Sequence, residues 1–161
     1  MNIGEWISKR AIIAPDQPFL TDKNKAYSNV QFDRRVNKTA EALAKLGVVK
    51  GMRLALLMSN SSEFLEIFFA CAKTGVIMVP LNTRLAVPEL LYILRDSAPE
   101  ILLYSSDFAA KAQSLRDAGA TVKRLYCLAE ADGGADPYFA DCVEAAAASE
   151  PAAGAGVALT D

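Results

Sequence analysis

The sequence predicts an α/β protein with a mostly parallel sheet flanked by helices. Short apolar segments of strand length alternate with longer segments whose apolar residues recur at helical spacing. The segment 54–58 is apolar throughout, which is typical of a strand buried on both faces of a parallel sheet. A hydrophobic content of 52% with 22% charged residues supports a packed core, and 161 residues fit one domain.

The first helix is predicted over residues 3–14, ended by Pro15 and Pro18. Its buried face is expected to hold Trp6, Ile7, Ala11 and Ala14. A strand over 19–21, a polar turn over 22–25 and a return strand over 26–27 follow. Two further helices are predicted from capping boxes, one with Ser28 and Gln31 and one with Asn60 and Glu63.

Glycines are expected to end both helices in the left-handed conformation, at Gly47 and Gly75. The inward residues of the helix after Ser28 are predicted to be Val36, Ala40, Leu43 and Ala44. The helix over 61–74 is apolar nearly all round, so we expect it to be central and buried. Cys71 on that helix is predicted to be a small buried hydrophobic side chain.

The second half of the chain continues the alternation. Strands are predicted over 76–79, 101–104 and 122–128, with one helix opened by Pro88 and Glu89 and another capped by Asp107 and ending near Ala118. Leu90, Leu91 and Leu94 are expected to face inward. From residue 141 the chain is rich in alanine and glycine, with a possible helix over 144–148, so we expect a subdomain over 1–140 and a linker over 141–161.

The composition excludes several classes of chemistry. The chain has no histidine, which removes His-based catalysis and His metal ligands. Its three cysteines form no CxxC pair, so no zinc or redox site is predicted, and a reducing, cytoplasmic setting is expected. A net charge of −2 without a basic block argues against nucleic acid as a partner. The sequence shows neither a signal peptide nor a membrane-spanning run.

The segment 73–85 is the most informative part of the sequence, and most of its residues have a structural explanation. Lys73 in a last helical turn complements the negative helix end, and Gly75 supplies the positive φ of the stop. Pro80 is expected to end a strand, and Asn82 to bond loop backbone. Arg84 has three possible partners: an acidic side chain (Asp96 or Glu89), backbone carbonyls or a ligand phosphate. Structural pairing is favoured over the ligand contact.

This segment resembles a core motif of the adenylate-forming enzymes, which reads Lys-Ala-Gly, an apolar stretch, then Val-Pro, an apolar residue and Asn or Asp. Here it runs Lys73-Thr74-Gly75 to Val79-Pro80-Leu81-Asn82. The continuation over residues 83–85, 89–90 and 96–97 is similar to the acyl-CoA synthetase branch. An earlier and weaker motif of the family resembles residues 27–32. A Gly-Asp-Arg-Val-Ala junction resembles residues 51–55, with Met52 in place of Asp. The resemblance covers about residues 1–128 and implies the N-terminal subdomain of the acyl-CoA synthetase-like fold.

For the parent protein, the resemblance implies carboxylate activation by ATP and magnesium, followed by thioester formation with coenzyme A. The acid is expected to be a medium- or long-chain fatty acid. The family's phosphate loop, magnesium-binding Glu, ribose-binding Asp and catalytic Lys have no counterpart in the sequence. We therefore expect an inactive N-terminal fragment that binds no cofactor or metal itself and carries no catalytic residue, with exposed apolar surface that favours self-association.

Two alternatives remain open at this point. One is a fragment of a peptide-synthetase or aryl-acid adenylation enzyme. The other is a stand-alone α/β binding or interaction module. The aromatic residues Phe64, Phe68 and Phe69 also allow two interpretations, the wall of an acyl tunnel or core packing, and the buried-helix pattern favours core packing.

Overall fold

The computed structural model describes residues 3–22 and 25–128. The helices are α1 (Gly4–Ile13), α2 (Asn29–Lys45), α3 (Ser62–Thr74), α4 (Val87–Ser97) and α5 (Ala109–Asp117). The strands are β1 (Pro18–Asp22), β2 (Lys25–Ser28), β3 (Arg53–Leu57), β4 (Ile77–Pro80), β5 (Ile101–Tyr104) and β6 (Arg124–Cys127). Of the described residues, those up to Gly51 and the segment Asn60–Val76 form one compact unit, and the rest form a second.

The first unit contains α1, α2, α3 and the hairpin of β1 and β2, which pair antiparallel as predicted. Aromatic side chains from four of these elements meet in one cluster. Phe69 of α3 contacts rings on α1, β1 and α2, with centroid separations of 6.1 to 6.3 Å. The ring partners are Trp6, Phe19 and Phe32. Core packing is therefore confirmed for Phe69, while Phe64 and Phe68 are only half-buried.

The termini of α2 follow the sequence prediction closely. The Ser28 hydroxyl accepts a hydrogen bond from the Gln31 N–H, and the Gln31 side chain accepts one from the Ser28 N–H at 2.9 Å. Gly47 beyond the end has a φ of 76°. The predicted inward residues are buried except Ala44, which is exposed, whereas Ala42 is buried in its place.

The predicted capping box at the start of α3 is wrong. Ser61, not Asn60, is the N-cap, and its hydroxyl accepts from the Phe64 N–H. The Glu63 carboxylate instead accepts from Lys25 of the hairpin at 3.1 Å. Two neighbouring residues both have cap-forming side chains, so local preference alone could not decide between them.

The second unit is a four-stranded sheet in the order β4-β3-β5-β6, and every strand pair is parallel. The predicted fold class is therefore confirmed: an α/β structure with a parallel sheet flanked by helices. Helices α4 and α5 share one apolar cluster with alternate residues of the strands. Its fully buried members include Leu57, Leu90, Leu94, Leu102 and Leu115.

Two further local expectations differ from the structure. Asp107 does not cap a helix, because it lies within a 3₁₀ turn, Ser106–Phe108, that precedes α5. Trp6 was expected on the buried face of α1 but is 42% exposed, because its ring stacks along the edge of the aromatic cluster while the Arg10 guanidinium lies 5.4 Å from its centroid. Helical spacing indicates a shared face but not how far the neighbouring element covers it.

The predicted linker over 141–161, the possible helix over 144–148 and Cys142 lie outside the described residues, so these predictions are unchanged. Lys23 and Asn24 of the hairpin turn also lie outside the described residues. Within the described part of the chain, no helix combines the length and apolar character needed to cross a membrane.

Candidate functional site

Lys73 lies at the centre of a buried polar network in the first unit. Its side chain is only 5% exposed, and its Nζ donates to Asp33 Oδ1 at 2.9 Å and to Asn37 Oδ1. The Ser8 hydroxyl donates to the same Asp33 oxygen at 2.9 Å. The network joins α1, α2 and α3 through one cation and one carboxylate.

The helices position this network by simple spacing. Asp33 and Asn37 are four residues apart on α2 and so share one face, and the Asn37 amide also donates to Asp33 Oδ2. Lys73 lies in the last turn of α3, as the sequence predicted. The sequence does not predict its two partners, because residues 36 and 40 positions away along the chain carry no signal of contact. These contacts bind the Lys73 side chain into the packing of the three helices.

Gly75 and Pro80 have the backbone roles that were predicted for them. Gly75 has a φ of 74° and its N–H donates to the Cys71 carbonyl, which ends α3. Pro80 is the last residue of β4, an edge strand of the sheet, where the missing N–H of proline costs least.

In the second unit, the loop between β4 and α4 is tightly hydrogen-bonded. Asn82 Oδ1 accepts from the Arg84 N–H at 3.0 Å, which confirms the predicted backbone role of Asn82. The Lys111 ammonium of α5 donates to the carbonyls of Thr83 and Leu85 at 2.7 and 2.9 Å. At the start of α4, the Glu89 carboxylate accepts from the Ala86 N–H at 2.8 Å. The sequence does not predict this role of Lys111, because it depends on the placement of α5 beside the loop.

The Arg84 side chain is exposed on this ordered loop. Within the described residues no ion pair joins it to Asp96 or Glu89, and the Glu89 carboxylate is engaged at the α4 N-terminus. The favoured prediction of structural pairing is therefore not met. A ligand contact by Arg84 stays a prediction.

The carboxyl edge of the sheet is the place where open parallel sheets bind ligands. The strands lie in the order β4-β3-β5-β6, so the chain leaves β3 toward one edge of the sheet and leaves β5 toward the opposite edge. The order of strands therefore reverses between β3 and β5. Ser105 directly follows β5 at that point, and its backbone N–H donates to the Leu57 carbonyl of β3. Its hydroxyl oxygen is buried and has no hydrogen-bond partner among the described residues. The loops of this edge thus combine polar groups with a rigid backbone.

Two buried groups of α3 have shifted pKa values. Burial raises the pKa of Glu66, and the ion pair with Arg35 at 2.6 Å opposes that rise. Burial alone raises the pKa of the Cys71 thiol to about 12, so this thiol is protonated and inert at neutral pH, in agreement with the predicted buried cysteine. Neither group has the geometry of a nucleophile beside a base. Among residues 3–22 and 25–128, no three carboxylate or thiol side chains cluster closely enough to hold a metal ion.

An open parallel sheet with polar loops at its carboxyl edge defines an α/β protein of the kind that binds ligands at the ends of its strands. The family model described as AMP-binding enzyme matches residues 7–155. A long-chain-fatty-acid–CoA ligase from Mycobacterium tuberculosis is 38% identical over 162 residues, covering 96% of this chain. A feruloyl-CoA synthase from Amycolatopsis is 35% identical over 113 residues, covering 70% of this chain. The chain therefore belongs to the AMP-binding enzyme family.

Solved structures agree with this assignment. The chain is similar to a fatty acyl CoA synthetase of M. tuberculosis with a TM-score of 0.84 and 35% identity, covering 94% of this chain and 30% of that one. It is also similar to the N-terminal domain of FACL13 from the same organism, with a TM-score of 0.85 and 34% identity, covering 96% of this chain and 38% of that one. The chain spans 30% of the length of the mycobacterial ligase and 23% of that of the feruloyl-CoA synthase.

Proposed function

We propose that this chain is the N-terminal α/β portion of an ATP-dependent acid–CoA ligase. In such a ligase the carboxylate attacks ATP to give an acyl-adenylate and pyrophosphate, and the thiol of coenzyme A then displaces AMP to form the thioester. The observation that supports this most strongly is the 38% identity to a long-chain-fatty-acid–CoA ligase over 96% of the chain. ATP, magnesium, coenzyme A and a carboxylic acid are the proposed ligands of the whole enzyme.

We further propose a long-chain fatty acid as the substrate class. The feruloyl and indoleacetate ligases are 35% and 36% identical over 70% and 76% of the chain, a shorter match than the fatty-acid ligase gives. An aryl acid is the second candidate, and these two relatives support it. Nothing in the described contacts favours an interaction module.

The described residues act in this proposal as scaffold. The network around Lys73 holds three helices together, and Lys111 and Asn82 hold the loop that presents Arg84. We propose that the exposed Arg84 guanidinium contacts an anionic group of a ligand, since guanidinium pairs with phosphate in a bidentate manner. We assign no catalytic residue and no magnesium ligand to the described part of the chain. The two described cysteines are free and buried, which supports a reducing, cytoplasmic location.

A chimera tests the proposed reaction. In it, this chain replaces the matching segment of the mycobacterial long-chain-fatty-acid–CoA ligase, and acid-dependent ATP–pyrophosphate exchange and acyl-CoA formation are measured. We expect a folded chimera to form acyl-CoA with palmitate, whereas this chain by itself gives no exchange above background. A chimera that folds by circular dichroism but gives no exchange, or robust exchange by the chain alone, would contradict the proposal.

The same chimera tests the proposed role of Arg84. We expect Arg84→Ala to raise KM for ATP or coenzyme A at least fivefold without loss of thermal stability, and Arg95→Ala on α4 is the matched control. Unchanged kinetics in Arg84→Ala would remove Arg84 from ligand binding and leave the proposed reaction standing.

A further inference from the structure

A basic cavity lies in the first unit, between β2 and the first half of α2. It is open to solvent and has a volume of about 350 Å³, at the small end of the range of ligand pockets. Three of its lining side chains are cationic and none is acidic. The lining residues are Ala26, Tyr27, Gln31, Arg34, Arg35 and Lys38.

The helical repeat of α2 brings the cationic residues together. Gln31, Arg34, Arg35 and Lys38 follow the spacing of one helix face. Arg34 and Lys38 are four residues apart, so their like charges repel each other across one turn. The chain as a whole carries a net charge of −2, so this concentration of cations is a local feature rather than a consequence of composition.

One wall of the cavity is held rigidly. Arg35 donates from Nε to Glu66 Oε1 at 2.6 Å and from Nη2 to Glu66 Oε2 at 3.2 Å, a two-point ion pair with a buried carboxylate. The Arg35 guanidinium also lies 5.5 Å from the centre of the Tyr27 ring. This pairing orients Arg35 and neutralises much of its charge. Arg34, by contrast, is exposed and has no ion pair within the described residues.

We propose that this cavity binds the phosphate group of a small anionic ligand, with Arg34 and Lys38 contacting the phosphate and the fixed Arg35 and Tyr27 forming the wall. A planar guanidinium and an ammonium on adjacent turns match the tetrahedral oxygens of phosphate. The volume leaves room for an organic group beside the phosphate. The proposal is independent of the proposed ligase reaction, because it concerns a surface formed by β2 and α2 within the first unit.

Calorimetric titration of the whole chain with inorganic pyrophosphate and, separately, with ADP tests the proposal at low ionic strength. We expect the double variant Arg34→Gln/Lys38→Gln to weaken pyrophosphate binding at least tenfold. The control is Lys50→Gln/Arg95→Gln, which removes two exposed positive charges elsewhere and is expected to change the dissociation constant less than twofold. Equal thermal unfolding curves for the two double variants show that the comparison concerns folded protein.

Nuclear magnetic resonance locates the bound probe. We expect pyrophosphate to shift the amide signals of Ala26, Tyr27 and Gln31 most strongly. If ADP binds more tightly than pyrophosphate and the Arg34→Gln/Lys38→Gln variant loses this binding, the site takes a nucleotide. If ADP binds equally or more weakly than pyrophosphate, the site takes phosphate alone. Equal weakening in both double variants, shifts that avoid the cavity, or no binding of pyrophosphate at millimolar concentration would overturn the proposal.

Discussion

Lys73 illustrates how a single residue connects three helices at the cost of burying its charge. Its ammonium and the Asp33 carboxylate are both largely withdrawn from water, and the desolvation of each is offset by the other and by hydrogen bonds from Ser8 and to Asn37. Removing one partner therefore leaves the other charge buried without compensation.

Lys73→Met should lower the free energy of unfolding by about 3–5 kcal/mol, the range for a broken buried ion pair. Lys9→Met is the control, because Lys9 pairs with Glu5 on an exposed face of α1 and its loss should cost about 0.5 kcal/mol or less. Urea denaturation of both variants measures the difference. A cost below about 1 kcal/mol for Lys73→Met would show that water reaches the site.

Arg84→Ala should leave stability unchanged within about 0.5 kcal/mol, because its side chain is exposed and makes no ion pair in the described structure. Asn82→Ala, which removes the oxygen that accepts from the Arg84 N–H, should cost about 1 kcal/mol. Denaturant midpoints of the two variants provide the comparison. A clear loss in Arg84→Ala would restore the interpretation of Arg84 as a structural partner.

At the scale of the element, close approach of backbones determines how α1 packs. A Cβ added at Gly4 would lie 2.5 Å from the Lys73 nitrogen and 2.7 Å from the Ala72 carbonyl carbon. Backbone atoms cannot rotate away as a side chain can, so α1 and α3 touch at this point only because residue 4 is glycine.

Gly4→Ala should destabilise the chain by about 1–3 kcal/mol, since α1 must move to remove the overlap. Gly119→Ala meets no atom within 4 Å but has a φ of 77°, so its cost of about 1–2 kcal/mol should come from backbone strain alone. Tryptophan fluorescence should report the movement of Trp6 in Gly4→Ala and remain native in Gly119→Ala. Native fluorescence in both variants would contradict the packing argument.

The start of α3 should respond to acid through Glu63. Partial burial disfavours its charge, but hydrogen bonds from its own backbone N–H, Lys25 and Ser61 prevail and lower its pKa to about 2 from 4.5. A lowered carboxyl pKa contributes stability that is present above the unfolded value and is lost as the pH falls through the folded value.

The stability difference between the native chain and Glu63→Gln should therefore be largest above pH 5 and decline between about pH 4.5 and pH 2. Urea unfolding of both proteins at several pH values measures it. Glu5→Gln, which alters an exposed helical pair on α1, is the control. A difference that does not vary with pH would show that the hydrogen bonds to Glu63 do not depend on its charge.

At the scale of the whole molecule, the exposed apolar side chains bear on association. Ile12 and Ile13 are adjacent at the end of α1 and are 80% and 81% exposed, and Tyr92 on α4 is 73% exposed. Adjacent exposed isoleucines are unfavourable in water, and burial against another surface would remove that cost.

We predict that the chain self-associates at concentrations above about 100 µM, which corresponds to an association free energy of about −5.5 kcal/mol, and that Ile12→Lys/Ile13→Lys shifts it toward monomer. Light scattering coupled to size-exclusion chromatography gives the mass, and an apolar dye reports the exposed surface. A uniform monomer at high concentration with no dye binding would contradict this prediction.

The sequence by itself determined the features that depend on neighbours along the chain. It predicted the apolar strands, the Ser28 capping box, the positive φ of Gly75 and the Asn82 turn, because each depends on residues that are close together along the chain. The series of short motifs from residue 27 to residue 97 was enough to indicate the family.

Only the tertiary structure decided which distant side chains meet. The partners of Lys73, the ion pair of Arg35 with Glu66, the anchoring of the β4–α4 loop by Lys111 and the contact of Gly4 with α3 join residues from 26 to 69 positions apart. The structure also places Ser61 rather than Asn60 at the cap of α3, and it pairs Glu63 with Lys25 of the hairpin. The physical reason is that burial and charge pairing depend on distance in space, which local preferences along a chain do not specify.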